Sequence, residues 1–294
     1  MASIHLRLTA ADKSDVGKQR EQNEDCAYKR IESSDEGDRG LFVVADGMGG
    51  YKAGEVASKL AIETISQNLD SFFKPIADQP TIKLDISSMK ESTQKAPVAE
   101  ENGKQKTRKL TETPVAFAAE EQLKTAIQQA NSAIVRYGEK KSSARGLGST
   151  VTAVLIQNNK AYIANVGDSR TYLLRGKKLA PITRDHSLVA RLVESNQIEA
   201  DEIYTHPQRN LIYRSLGAGH KTVEVDIFHE TLKPDDVLLL CSDGLWEMVH
   251  TPDLLRLLSE ESSPQKICDQ LIELANENGG EDNITAVVVH VNAH

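Results

Sequence analysis

The chain has 294 residues, with 35 Lys and Arg against 43 Asp and Glu and a formal net charge of −8, so nothing in its bulk charge favours nucleic acid. At 39 % hydrophobic and 27 % charged it has the composition of a folded globular protein, which excludes disorder throughout, and its length suits one large domain. No apolar run approaches the ~18 residues of a membrane span and the first ten residues carry no signal-peptide pattern, so the expected location is cytoplasmic, with no membrane partner.

In chain order, the first marked pattern is Arg20 followed closely by Asn23-Glu24-Asp25, at the start of a strand-like stretch. A buried strand is predicted over 41–45. A helix follows over 53–73, where Val56, Leu60, Ile62, Ile65 and Leu69 fall largely on one stripe. Between Phe73 and Phe117 there is no aromatic residue, Lys and Glu dominate, and Pro75, Pro80, Pro97 and Pro114 are four of the nine prolines. Such a stretch cannot bury enough apolar surface to offset its ordering entropy, so about 75–115 is expected to be a flexible surface insertion within a single domain of 1–294. Ser87, Ser88, Ser92 and Thr93 could accept phosphate there, although a solvated linker is the blander role.

The helical period returns over 119–139 with Leu123, Ile127, Ala130 and Ile134. Strands are then predicted over 150–156, 160–166, 171–175, 222–228 and 237–241, with tight turns at Asn158-Asn159 and Gly176. A short helix at 252–258, with Thr251 as cap and Pro252 at its first position, precedes a helix over 264–278 and a last strand over 284–291. Short strands in hairpins with a few long helices indicate an α+β sandwich rather than a doubly wound parallel sheet. Cys26, Cys241 and Cys268 are odd in number and lack Cys-x-x-Cys spacing, so they read as reduced packing residues.

The chemistry lies in where the aspartates fall. Strand 41–45 runs into Asp46-Gly47-Met48-Gly49-Gly50, strand 160–166 into Gly167-Asp168, and strand 237–241 into Ser242-Asp243-Gly244, while Asp282-Asn283 stands just before strand 284–291. A single Asp-Gly pair is more often a turn. Four carboxylates at the ends of buried strands repel one another and resist desolvation unless a hard divalent cation sits among them, and oxygen ligands without His or Cys select Mg²⁺ or Mn²⁺.

The glycine run after Asp46 could cradle a phosphate, but Asp46 would oppose it directly unless a metal lay between. Arg20 is either a surface ion pair or, at the edge of a metal site, a planar fork for two phosphate oxygens. There is no Gly-x-Ser-x-Gly elbow and no His-Glu-x-x-His helix, and none of the cysteines is followed at the sixth position by arginine, so nucleophilic and zinc hydrolase chemistries are excluded.

The motifs Arg20-Glu-Gln-Asn-Glu-Asp25, Val44-Ala-Asp-Gly-Met-Gly-Gly50, Gly148-Ser-Thr150, Asn165-Val-Gly-Asp-Ser-Arg170, Thr183-Arg-Asp-His-Ser187, Arg214-Ser-Leu-Gly217, Leu240-Cys-Ser-Asp-Gly-Leu-Trp246 and Gly280-Glu-Asp-Asn-Ile-Thr285 occur in this order. Together they resemble the metal-dependent protein serine/threonine phosphatases of the PPM, or type 2C, family in its bacterial form. The resemblance covers about residues 10–292 apart from the insertion. It implies a four-layer α/β/β/α sandwich of two antiparallel sheets flanked by helices.

It also implies hydrolysis of phosphoserine and phosphothreonine in proteins by a water bridging two divalent cations, Mg²⁺ or Mn²⁺, with a possible third, weaker ion. Asp46 would bridge the two ions, Asp243 and Asp282 would complete one, and the Gly47 carbonyl would ligate the other. Asp168 would join Asp243 in the third site, Arg20 would bind the phosphate, and Glu24, Asp25 and Asn283 would form the second shell. A flap is implied over about 185–219. Met48 stands where many eukaryotic members carry a histidine proposed as general acid, which leaves a metal-bound water or His206 for that role. Phosphorylated proteins are the implied substrates, a serine/threonine kinase the implied counterpart, and a monomer the implied state. The competing reading is a catalytically silent phosphatase fold that regulates or binds; retention of Asp46, Asp168, Asp243 and Asp282 counts against it.

Overall fold

The structure is a computed structural model that describes residues 5–49, 53–74, 114–141, 144, 146–260 and 263–293. Most of the expected insertion, with Ser87, Ser88, Ser92 and Thr93, lies outside the described residues.

The chain opens with β1 (Leu6–Asp15), β2 (Asp25–Glu32) and β3 (Arg39–Met48), followed by α1 (Ala53–Asn68) and the single turn α2 (Asp70–Phe73). Next come α3 (Pro114–Lys140), β4 (Gly148–Ser149), β5 (Val151–Gln157), β6 (Lys160–Val166), β7 (Arg170–Arg175) and β8 (Lys178–Pro181). The helix α4 (Leu188–Glu194) and strands β9 (Leu216–Gly217), β10 (Asp226–Thr231) and β11 (Val237–Cys241) lead to α5 (Asp243–Trp246), α6 (Thr251–Leu258), α7 (Pro264–Glu277) and β12 (Ile284–Ala293). One sheet runs β1-β12-β11-β7-β8. The other runs β10-β6-β5-β3, with β2 on the far side of β3 and β4-β9 extending from the end of β3.

Both sheets are antiparallel and buried on both faces, which explains why their central strands read as unbroken apolar runs rather than alternating ones. Period 2 sorts each strand between two cores. On β3, Leu41, Val43 and Ala45 pack with Ile65, Leu123 and Ile127 of α1 and α3, while Phe42 and Val44 point the other way, against Leu240 and Val289 of the facing sheet. On the outer face of that second sheet, Leu239, Ile284 and Val288 pack with Leu254, Ile267 and Leu271 of α6 and α7. The order helix, sheet, sheet, helix is the expected four-layer sandwich.

The differences from expectation are local. β1 was hidden because its apolar alternation stops after Leu8 and gives way to Asp12, Lys13 and Asp15; ten residues of pairing with β12 hold it in place instead. The strand expected over 222–228 is β10, displaced to Asp226–Thr231 by its register with β6. The expected helix 53–73 breaks at Leu69 into α1 and α2. The cap of α6 is His250, not Thr251, and its side chain makes no capping bond. The turns hold as read: Asn158 and Asn159 have φ of 51° and 61°, the left-handed pair that a two-residue hairpin turn requires. Cys241 and Cys268 are buried and Cys26 partly so, all unpaired.

Candidate active site

The sandwich brings the separated acidic segments to one end. Arg20, Glu24, Asp46, Gly47, Met48, Gly49, Thr150, Asp168, Asp243, Asp282 and Asn283 line a cleft of about 220 Å³, together with Asn210 and Ile212. Of the residues expected to hold the cations or the phosphate or to support them, only Asp25 is not on its wall. It stands behind, register partner of Asp46 across β2 and β3, and accepts a 2.7 Å hydrogen bond from Ser242 Oγ.

Each position has a local cause. Asp46 lies near the end of β3, where its carbonyl accepts from Thr150 N at 2.8 Å and Ser149 Oγ at 3.0 Å, and its own amide donates to Thr150 Oγ1 at 3.1 Å. The next residue must be glycine: a Cβ on Gly47 would fall 2.1 Å from the Gly54 carbonyl oxygen, so this is where β3 and the start of α1 touch backbone to backbone. Glu24 accepts hydrogen bonds from the Gly54 and Glu55 amides and so satisfies the open N-terminus of α1. Asp243 opens α5 directly after β11.

Asn283 is the clamp. Its Oδ1 accepts from Glu24 N at 2.8 Å and its Nδ2 donates to the carbonyls of Val16 and Gln22, both at 2.9 Å, which fixes the segment carrying Arg20 and Glu24 against β12. Asn283→Ala would remove the side-chain partner of these part-buried backbone groups. A loss of about 1–3 kcal/mol in stability is expected, with faster amide exchange confined to residues 16–24.

Uncompensated negative charge dominates the cleft. Burial, reinforced by Asp25, Asp243, Asp168 and Asp282, holds the Asp46 carboxyl well above the usual carboxylate range. Burial pushes Asp25 up to about 7 against hydrogen bonds from Ser242 and Thr285, and pushes Asp243 up to about 7 with the charges of Asp282 and Glu247 adding to it. Asp168 is raised by burial and then by Asp243 and Asp185. Arg20 Nη2 is drawn onto Asp282 Oδ2 at 2.6 Å.

Among the described residues no three Asp, Glu, His or Cys side chains close on one point as a finished cage. Yet the donor set fits a hard divalent cation. All its donors are oxygens, and one buried oxygen each of Asp25 and Asp243 lacks any hydrogen-bond partner.

Asn210 and Ile212 were not anticipated: they belong to the segment expected as a flap, and neither residue type signals chemistry in a sequence. That segment is not loose. Tyr204 stacks on His250 at 4.1 Å, and Arg209 pairs with Glu247 at 3.2 Å and with Glu281 at 2.9 Å. His206, weighed as a proton donor, is not on the cleft wall; it is half-buried, with its Nδ1 accepting from Gln208 N.

A two-sheet sandwich with four aspartates converging at one end is the architecture of a metal-dependent phosphoprotein phosphatase. The protein phosphatase 2C family model matches residues 16–286. The serine/threonine phosphatase Stp of Listeria welshimeri is 35% identical over 97% of this chain and 96% of its own. The crystal structure of the Mycobacterium tuberculosis serine/threonine phosphatase PstP superposes with a TM-score of 0.74 at 34% identity, covering 97% of this chain and 99% of that one. The catalytic domain of PstP in complex with two manganese ions gives a TM-score of 0.73 at 32% identity, covering 98% and 99%. The chain belongs to the protein phosphatase 2C family and is a protein serine/threonine phosphatase.

Proposed function

We propose that the cleft hydrolyses phosphoserine and phosphothreonine with two divalent cations, Mg²⁺ or Mn²⁺, held by Asp46, Asp243, Asp282 and the Gly47 carbonyl. Asp168 with Asp243 provides a third, weaker position. The observation that carries this reading is the convergence of four strand-end aspartates on one cleft, with Asp46, Asp168 and Asp243 held above the usual carboxylate range by burial and by one another. The two manganese ions of the PstP structure support it.

When bound, such cations supply a water acidified enough to react near neutral pH, and positive charge facing the phosphoryl oxygens. The chain's own residues supply the placement. Arg20, about half exposed at the cleft edge, presents a planar fork to two phosphate oxygens. Glu24 and Asn283 hold the Arg20 segment, and Asp25 braces Asp46 from behind. Met48 adds bulk but no proton, and none of the cleft-lining residues is a histidine.

Turnover of a phosphothreonine peptide in Mn²⁺, abolished by chelator, is the test; turnover that survives chelation overturns the proposal. Arg20→Ala is expected to lower kcat/KM by about 10–100-fold, chiefly through KM, the equivalent of one charged hydrogen-bond pair. Steady-state kinetics on the same peptide reads it.

The same reading makes the chain one catalytic domain, monomeric and cytoplasmic, acting on the products of a serine/threonine kinase. Among the described residues no helix is long and apolar enough to cross a membrane, and a net charge of −8 disfavours nucleic acid.

A further inference from the structure

Asp168 sits in the turn between β6 and β7, and its carboxylate is useful to a cation only if that turn is held still. The preceding peptide is gripped on both sides. Gly167 N donates to His186 Nδ1 at 3.0 Å, and the Gly167 carbonyl accepts from His186 N at 2.9 Å and from Asn165 Nδ2 at 3.1 Å. Gly167 itself has φ of 110°, and a Cβ there would lie 2.6 Å from Thr150 Cβ, so the turn packs closely on Thr150 and admits only glycine.

His186 is only 2% exposed, and both of its ring nitrogens have partners. Nδ1 accepts a hydrogen bond from Gly167 N, while Nε2 lies 2.9 Å from Arg214 Nη1 and 3.2 Å from Asp226 Oδ2. The other oxygen of Asp226 accepts from Arg214 Nη1 at 2.6 Å. The backbone continues the same link: Tyr213 N donates to the His186 carbonyl at 2.9 Å and Leu188 N to the Leu211 carbonyl at 2.8 Å. This seats the segment that puts Asn210 and Ile212 on the cleft wall.

We propose that His186 is a positioning residue that locks the Gly167–Asp168 turn to the 210–214 segment, so that the Asp168 carboxylate and one wall of the cleft are set by the same imidazole. The proposal rests on the reading of Asp168 as a ligand of the weaker cation. Outer partners of a metal ligand govern affinity without touching the ion.

The test uses the full chain and four variants, His186→Leu, His186→Gln, Asp168→Asn and the His186→Leu/Asp168→Asn double variant. Turnover of p-nitrophenyl phosphate is followed against Mn²⁺ concentration, and thermal melting is recorded alongside. His186→Leu is expected to raise the Mn²⁺ concentration at half-maximal turnover by about tenfold or more. His186→Gln, which keeps one acceptor and one donor, restores most of the native dependence even if its melting temperature stays low, and the double variant requires no more Mn²⁺ than Asp168→Asn alone. Native Mn²⁺ dependence in His186→Leu, a Gln variant as impaired as Leu, or additive losses in the double variant would each overturn the positioning role. Native Mn²⁺ dependence in Asp168→Asn would instead overturn the cation reading of Asp168, and the proposal with it.

Discussion

Asp243→Asn is expected to cut turnover of a phosphothreonine peptide by about 10³-fold or more while raising the melting temperature of the metal-free protein above pH 7. The loss follows from the role proposed for Asp243 in both the main and the weaker cation positions: several kcal/mol of transition-state charge stabilisation disappear, and each ~1.4 kcal/mol is tenfold in rate. The gain in stability has the same origin. Asp243 is partly buried next to Asp46 and Asp282, one of its oxygens has no hydrogen-bond partner, and its proton is held up to about 7. Asparagine removes a charge that the metal-free fold does not neutralise. Opposite signs in activity and stability distinguish a functional carboxylate from a structural one, and kinetics paired with thermal melting reads both. A variant that is both active and less stable would contradict the assignment.

Stability of the metal-free protein is expected to fall as pH rises between about 4 and about 7. Asp25 and Asp243 release their protons near 3.8 when unfolded, but hold them to about 7 when folded. Across that window the folded state binds more protons than the unfolded one, so raising the pH removes stability, and Asp46 and Asp168 act in the same direction. Saturating Mn²⁺ reverses the trend, because cations displace those protons and bind the folded state more tightly as the carboxylates ionise. Melting curves at pH 5 and pH 8, with chelator and with Mn²⁺, therefore cross. Parallel curves would mean that Asp46, Asp168 and Asp243 do not hold a cation.

Much of this was legible in the sequence, and the exceptions are instructive. Strands buried on both faces announce themselves as apolar runs, so β3, β5, β6, β11 and β12 were found, and their terminal aspartates located the site. β1 was missed because its order comes from pairing with a distant strand, not from its own pattern. Asn210 and Ile212 were missed because only the path of the 210–214 segment, tied through His186 and Leu188, puts them on the cleft wall. His206 misled in the opposite way: a titratable side chain in the same segment is not on the cleft wall. Side chains whose role depends on who stands opposite are the part that a linear pattern cannot carry.

The net charge of −8 is compatible with an anionic substrate once the carboxylates are matched by cations, because two divalent ions turn a cleft that repels phosphate into one that attracts it. The most direct test is anomalous scattering at the manganese edge from crystals grown with Mn²⁺. The expected result is two strong peaks flanking Asp46, one within ligand distance of Asp243 and Asp282 and the other of the Gly47 carbonyl. Manganese bound elsewhere, with no peak beside Asp46, would contradict the account.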